Sequence, residues 1–428
     1  MELKIFGGSG EYGRACFGVI SGHKNILLDC GVKRIQVKNK IGEYPLIDSN
    51  FIKNIDYVFL SHAHEDHCAA LPLLYKLGYN GYIFCTEETA IQAKDCIKKW
   101  VDTVLQNNGE LPFDLTDVDK VKYCTITLGK SIIEKNFEVE AGMSGHMVGG
   151  IWFKFSLDDK KIFYSGDYCF DSILLDYEMP YDKCDIAIVD SSYGDDSTEQ
   201  EEYWSKIYSK IRETLIRGGK VLLPVPARGR GVEILLLLTQ RPLLIGENRI
   251  EIYVEKNILD AVNEVKCSQN WLKTSAREYF ENFNSALINV ISSKSEREKM
   301  VSSESPAVIL CTDGMISSET SLYYFERISK NKLNTIILTG YQAEGTIGKR
   351  ILSNEGRKEL GVKCEVMNIR YKVHPGFNDL LILLDSVKPD NTFLVHCELG
   401  VCKKLLHTLR KYGFKSHCLL PGQSFVMP

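Results

Sequence analysis

No apolar run in the sequence reaches the roughly 18 residues that a membrane-spanning helix requires, so no membrane span is expected. The opening residues, MELKIFGGSG, lack the basic flank and long apolar stretch of a secretory signal, and a cytoplasmic protein is the expectation. The 14 cysteines include no CxxC pair and are scattered through a large chain, which disfavours a disulfide framework and predicts reduced, mostly buried thiols. Internal repeats, low-complexity tracts and proline-rich linkers are also missing, so domain boundaries have to come from the order of motifs. Nor is one charge in large excess. The formal net charge of −4 argues against bulk attraction to nucleic acid, but a local basic groove remains open, because phosphate binding depends on where the charges sit.

What is present is an ordinary globular composition. With 428 residues, 44% of them hydrophobic and 25% charged, the chain can build two or three domains with substantial cores, and disordered or fibrous classes are excluded. The first half reads as short β-branched and aromatic strands punctuated by glycine, among them ACFGVIS, NILLDCG, DYVFLSH, GIWFKF, KIFYSGD and DIAIVDSSYG. Helical periodicity interrupts them over 69–77 and 87–106, giving an α/β layered domain. After Gly194 the texture changes to βα alternation: helices over 202–217 and 231–240 and strands at KVLLPVP, RIEIYVE, AVILCTDG and TIILTGYQ, which fit a second domain with a mostly parallel sheet. The strand NTFLVHCE and an amphipathic helix over 402–412 follow.

The segment FLSHAHEDHCAALP carries the most chemistry. His62, His64, Asp66 and His67 place four candidate ligands within six residues at the end of an apolar strand, a metal signature that packing alone does not call for. His62 and His64 point the same way and can share one metal, while the turn at Asp66 and His67 aims the next pair at a neighbouring site. Two adjacent divalent ions need further ligands from strand ends. His146 in MSGHMVGG, Asp167 in YSGDY and His396 in FLVHCELG stand in such contexts. Of nine histidines, His23, His407 and His417 have surface-like neighbours, and six (the four above with His67 and His374) do not. A lone histidine such as His396 is more often a hydrogen-bonded structural residue; beside the HAHEDH cluster it becomes a credible ligand.

HAHEDH, followed in order by SGHMVGG, SGDY, VDSSYG, VHPGFNDL and LVHCELG, resembles the β-CASP branch of the metallo-β-lactamase superfamily. That branch includes RNA 3′-end cleavage endonucleases, their archaeal and bacterial relatives, and the RNase J group. LLPVPARGRGVEILLLL, DGMISSETS and LTGYQAEGTIGKRIL look like the same family's text, so the resemblance spans residues 1 to 428. It implies a metallo-β-lactamase αββα sandwich with an inserted β-CASP α/β domain, divided as 1–195, 196–365 and 366–428. It further implies two zinc ions. His62, His64 and His146 would bind one, Asp66, His67 and His396 the other, and Asp167 would bridge them. Asp29, in LLDCG, would support the site without binding metal. Asp190 and His374 match the acid and histidine of the first two β-CASP motifs and, with Asp66, are the expected catalytic residues. The match is not complete at these two: the acid is Asp where Glu is frequent, and His374 is followed by Pro375 and Gly376 where eukaryotic relatives often carry Ala-Asp.

The implied activity is zinc-dependent hydrolysis of RNA phosphodiesters by an activated hydroxide, with His374, oriented by Asp190, protonating the leaving oxygen to give 5′-phosphate and 3′-hydroxyl ends. Cleavage could be internal or from the 5′ end. Single-stranded RNA is the expected partner, and a homodimer or processing-complex partners stay open. Three rivals remain. A lactonase, thioesterase or β-lactamase-like enzyme would share the zinc cluster but has no need of DSSYG, His374 or the long insertion. A DNA-repair β-CASP nuclease typically has valine where this chain has His396. An inactive scaffold usually loses metal ligands, and all seven are present here.

Other features carry weaker signals. Gly8, Gly10 and Gly13 satisfy GxGxxG, with Asp29 downstream, as in a dinucleotide fingerprint; but RACFGVISG, which follows, is β-like, so no helix N-terminus is expected to hold a pyrophosphate. The glycines are read instead as letting a loop approach the metal cleft. Arg228 and Arg230, in PARGRG before a helix, are candidate phosphate contacts in the cleft between domains, an exposed basic loop being the plainer alternative. Lys33, Arg34, Lys38 and Lys40 are read as a solvated loop, and Cys68 and Cys397, which adjoin ligand positions, as packing residues.

Overall fold

The apolar runs of the first half become the strands of two seven-stranded sheets. In the computed structural model, which describes residues 1–22, 24–37, 40–134, 137–240 and 242–427, the first sheet has the order Ser424–Val426, Glu2–Gly7, Cys16–Ile20, Asn25–Leu28, Tyr57–Phe59, Ile83–Cys85, Tyr123–Thr125. The second runs Ser416–His417, Asn391–Val395, Ile186–Asp190, Lys160–Tyr164, Ile151–Leu157, Phe137–Met143, Gly129–Glu134. His23 and Lys38 lie outside the described residues. Aromatic side chains weld the inner faces together: the Phe59 ring of the first sheet meets Phe155 and Phe153 of the second at 4.9 and 5.4 Å, and Phe17 meets Tyr164 at 5.6 Å.

Helices cover the outer faces. Glu87–Gln106 starts where the Thr86 hydroxyl accepts from the Thr89 amide, and it buries Ala93, Ile97, Trp100 and Val104, spaced three and four apart, against the first sheet. Phe377–Val387 and Leu399–Lys411 cover the second sheet through Leu380, Leu384, Cys402 and Leu405. Each such fully buried aliphatic or aromatic side chain contributes roughly 1.5–3 kcal/mol.

The chain divides into two units: residues 1–170, 176–197 and 374–428 form the first, and residues 171–175 and 198–373 the second. The second is built on a six-stranded sheet of order Ile288–Ile291, Glu251–Glu255, Ala307–Cys311, Lys220–Pro224, Thr335–Leu338, Glu365–Asn368, every ladder of which is parallel. The division at 197/198 lies two residues from the expected 195/196, whereas the return falls at 373/374 rather than 365/366. Glu365–Asn368 pairs as the edge strand of the second unit's sheet; its four residues, EVMN, carry too little periodicity to show this in advance. Residues 171–175 join the second unit because Ser172 donates to Glu233, Lys273 N–H donates to the Leu174 carbonyl, and Leu175 bridges Leu272.

Two local expectations change. The basic stretch is a hairpin, Lys33–Val37 with Lys40–Glu43, and Lys33, Arg34 and Lys40 are ion-paired to Glu11, Glu65 and Glu43. His417 is half-buried, stacked on Phe393 with ring centroids 4.9 Å apart, and its Nε2 meets Asn391 Oδ1 at 3.1 Å. All 14 cysteines are free, ten of them buried, including Cys68 and Cys397. No helix among the described residues is long and apolar enough to cross a membrane.

Candidate metal centre

The site gathers where strands of common direction end. Phe137–Met143, Lys160–Tyr164, Ile186–Asp190 and Asn391–Val395 run the same way in the second sheet, so His146, Asp167, Asp190 and His396 emerge at one edge. Asn25–Leu28 and Tyr57–Phe59, parallel in the first sheet, deliver Asp29 and the segment from Ser61 to His67. His64 caps a one-turn helix, Glu65–Cys68, where the sequence alone suggests a turn. This segment is pinned by backbone bonds from Ala15 N to Asp66 O at 2.8 Å and from Cys30 N to His67 O at 2.8 Å. Gly31 permits that approach, since a Cβ there would lie 1.8 Å from the Asp66 carbonyl oxygen. Asp29 and His396 both hold φ of 56°, a left-handed conformation that costs a non-glycine residue on the order of 1 kcal/mol or more and concentrates at functional sites.

Two sets of donor atoms converge, and Asp167 belongs to both. In the first, His64 Nδ1 lies 3.2 Å from His62 Nε2 and 3.0 Å from His146 Nε2, and Asp167 Oδ2 lies 3.5 and 3.8 Å from those Nε2 atoms. In the second, His396 Nε2 lies 3.0 Å from Asp66 Oδ2 and 3.7 Å from Asp167 Oδ2, while His67 Nε2 lies 3.3 Å from Asp167 Oδ1 and 3.9 Å from Asp66 Oδ2. Ligands held about 2.0–2.1 Å from one tetrahedral zinc sit about 3.3 Å from each other, so both sets fit a zinc-sized ion. His67 Nε2 supplies the independent test. It is buried with no hydrogen-bond partner, an expensive state that a metal ion would relieve.

Two further carboxylates adjoin the cluster but are already committed. Asp29 accepts from Ser61 N (2.7 Å), Ser61 Oγ (2.7 Å), His67 Nδ1 (2.6 Å) and Tyr164 OH (2.5 Å). Asp190 accepts from Ser192 N (2.9 Å), Ser192 Oγ (2.5 Å) and His374 Nδ1 (2.8 Å). Both also appear in clusters of ligand-type atoms spaced closely enough for a metal, with His62 and His67 or with His374 and His396. Their lone pairs are spent on the chain's own donors, so they orient neighbours rather than offer free ligand atoms. Sequence reasoning missed Ser61, Tyr164, Ser192 and Tyr12. The two serines flank or lie within quoted motifs, but a serine beside a motif carries no signal of its own.

Against known families, residues 24–215 match the model of a β-lactamase superfamily domain, 232–351 that of the β-CASP domain, and 359–421 that of a Zn-dependent metallo-hydrolase RNA specificity domain. An RNase J-like protein of Methanocaldococcus jannaschii is 30% identical over 440 residues, covering 100% of this chain and 99% of the relative. The chain belongs to the β-CASP family of metallo-β-lactamase-fold nucleases. Its fold is accordingly a metallo-β-lactamase domain with an inserted β-CASP domain, and its chemistry is hydrolytic. The transcription termination factor FttA of the same organism is 27% identical, covering 98% of this chain and 70% of the relative. Integrator complex subunit 11 of Gallus gallus is 28% identical, covering 98% and 73%. A solved structure from Enterococcus faecalis V583, of unknown function, shares the fold at a TM-score of 0.57 and 12% identity over 100% of this chain and 99% of that one.

In this β-CASP chain the cavity sorts its imidazoles. Burial, aided by neighbouring rings, holds His62 well below the usual histidine range; burial likewise brings His64 down to about 4, outweighing Asp66 and Asp167. Burial also works against a proton on His67 and His396, but Asp167 and Asp66 outweigh it, keeping His67 well above the usual range and His396 at about 9. The reverse holds for the carboxyls. Burial opposes the charge on Asp66 and Asp167, yet His67 and His396 hold both below the ordinary carboxylate range.

The remaining expected residues lie elsewhere or pack closely. His374 is among the gathered groups, 3.8 Å from Asp167 through Nδ1 and stacked on His396 at 4.9 Å. Arg228 and Arg230 belong to the second unit. Arg228 pairs with Glu264 through Nε and Nη2, and Arg230 Nε donates to the Tyr371 carbonyl. The glycine-rich loop is followed by the strand Cys16–Ile20, and the Gly8 carbonyl accepts from His396 N at 2.7 Å.

Proposed function

We propose that this chain is a zinc-dependent ribonuclease that hydrolyses RNA phosphodiesters to leave 5′-phosphate and 3′-hydroxyl ends. The observation that carries the reading is the pair of donor sets joined at Asp167, with His67 Nε2 buried and without a hydrogen bond, beside a histidine held by a carboxylate. His62, His64 and His146 would hold one zinc, Asp66, His67 and His396 the other, and Asp167 both. Bound zinc would supply an activated water as nucleophile and offset the charge that builds on the phosphoryl oxygens.

The chain's own groups do the rest. Asp190 fixes His374 through Nδ1, which leaves the opposite ring nitrogen to hand a proton to the departing oxygen. Asp66 contributes a donor atom and, after Asp167, helps to keep His67 and His396 charged until metal arrives. Arg228, just before the helix Arg230–Thr239, and Arg230, its first residue, are the proposed contacts for RNA phosphates. RNA as substrate is supported by the name of the RNase J-like relative and by the RNA specificity model over 359–421. The relative named as an Integrator complex subunit supports partners in a processing complex.

The test uses single-stranded RNA and DNA labelled at the 5′ end or internally, with and without chelator. Chelator-sensitive cleavage of RNA is expected, lost by at least about a thousandfold in His64→Ala and Asp167→Ala while both variants stay folded. Full activity in a metal-free preparation of either variant overturns the proposal, and preferential cleavage of DNA overturns the choice of substrate.

A further inference from the structure

Each supporting carboxylate holds one histidine directly and reaches a second through a serine. Asp29 takes His67 Nδ1 directly at 2.6 Å; its Oδ2 also accepts from Ser61 Oγ at 2.7 Å, and Ser61 Oγ lies 3.0 Å from His62 Nδ1. Asp190 takes His374 Nδ1 directly at 2.8 Å; its Oδ1 accepts from Ser192 Oγ at 2.5 Å, and Ser192 Oγ lies 2.6 Å from His396 Nδ1. A serine hydroxyl has one proton and two lone pairs. With that proton given to the carboxylate, the oxygen can only accept, so the facing Nδ1 must carry a hydrogen, and once the ring is neutral the lone pair is left on Nε2. His62 Nε2 and His396 Nε2 are the atoms that face the two donor sets.

We infer that Ser61 and Ser192 are positioning residues, each setting the tautomer and ring orientation of one histidine, Ser61 in the first donor set and Ser192 in the second. This rests on the two-metal reading above. Ser192 is itself held in place, since it is buried, its carbonyl accepts from Tyr12 OH at 2.8 Å, and the Tyr12 ring lies edge-on to His396 at 5.5 Å. Because the two relays end on different donor sets, they are separable. Removal of one hydroxyl should weaken one metal and spare the other.

Metal-free full-length protein, its Ser61→Ala and Ser192→Ala variants, and Ser61→Thr and Ser192→Thr are titrated with zinc against a competing chelator, with folding followed by circular dichroism. The wild type is expected to bind two equivalents. Each alanine variant is expected to keep one at wild-type affinity and bind the other about 10- to 100-fold more weakly, and each threonine, which restores the hydroxyl, to return toward wild type. A purely structural role would lower the unfolding midpoint without splitting the two affinities. Two equivalents of unchanged affinity in Ser192→Ala overturn the inference and leave the two-metal reading standing; fewer than two in the wild type overturns both. If an alanine variant does not fold, its threonine counterpart decides: a threonine variant that folds but is weakened at one site as much as by loss of the hydroxyl overturns the relay.

Discussion

Glu233 and Asp313, in the second unit, and Asp66 and Asp167, in the first, are all carboxylates wholly or partly withdrawn from water, but different partners meet them. Glu233 accepts from the Ser172 and Tyr371 hydroxyls, and burial still pushes its carboxyl upward. Asp313 accepts backbone N–H bonds from Met315, Ser317 and Ser318, which outweigh its burial and hold it below the usual range. Asp66 and Asp167 instead face imidazole nitrogens, one of which, His67 Nε2, has no hydrogen-bond partner. Saturated carboxylates complete a fold, whereas carboxylates among leftover ring nitrogens prepare a place for something the chain does not contain. Asp29 and Asp190 stand between the two kinds, saturated themselves and holding the rings that are not.

The largest expected effect is on metal affinity as a function of pH. His67 and His396 carry protons in the metal-free protein well above the usual histidine range, His396 to about 9, and a metal must expel both. Affinity for zinc at the donor set of Asp66, His67 and His396 should therefore rise about a hundredfold per pH unit between pH 6 and 8, two protons being released, and less steeply above about 9, where His396 is already neutral. The sign for stability follows. A ring whose proton is held more tightly folded than unfolded stabilises the metal-free protein fully below about pH 6.5 and loses that contribution as pH rises through its folded value. Thermal unfolding of chelated protein should weaken from pH 6.5 to 9, and that of zinc-loaded protein should not show this loss. A zinc affinity independent of pH would sink the assignment of these rings.

Next comes Asp29→Ala. Four donors lose their acceptor in a fully buried position, which should cost about 3–5 kcal/mol in denaturant unfolding and weaken zinc about 10- to 100-fold. Asp313→Ala removes a comparable number of bonds from a partly buried loop that water can still reach. It should cost about 2 kcal/mol and leave zinc binding untouched, which would separate the two kinds of carboxylate in one pair of measurements.

The sequence was most legible where chemistry and periodicity coincide. HAHEDH, His146, Asp167 and His396 could be picked out because ligand-type residues follow apolar strands, and the helix expected over 87–106 is the helix Glu87–Gln106 because its apolar spacing is regular and Thr86 caps it. The strand Glu365–Asn368 escaped notice because an edge strand of four residues needs only one neighbour and little apolar content. Ser61 and Ser192 escaped because a hydroxyl becomes informative only when a carboxylate and a ring nitrogen are brought to either side of it. The joining of residues 171–175 to the second unit draws on a buried bond, Ser172 to Glu233, across 61 positions of sequence, and no local pattern announces it.

The smallest expected effect concerns Arg228. Its guanidinium already pairs with Glu264 on the surface, and breaking such an exposed pair costs under about 1 kcal/mol, so Arg228→Ala should unfold almost as the wild type does. If Arg228 exchanges Glu264 for an RNA phosphate, the variant should bind RNA severalfold more weakly at low salt, and the slope of log affinity against log salt should fall by about one, with the turnover rate at saturation unchanged. Glu264→Ala should act oppositely, freeing the arginine and raising affinity at low salt. A salt slope equal to the wild type's in Arg228→Ala would return Arg228 to the class of plain surface pairs, with RNA contacts in the second unit to be sought at Arg230, whose Nε is engaged by the Tyr371 carbonyl.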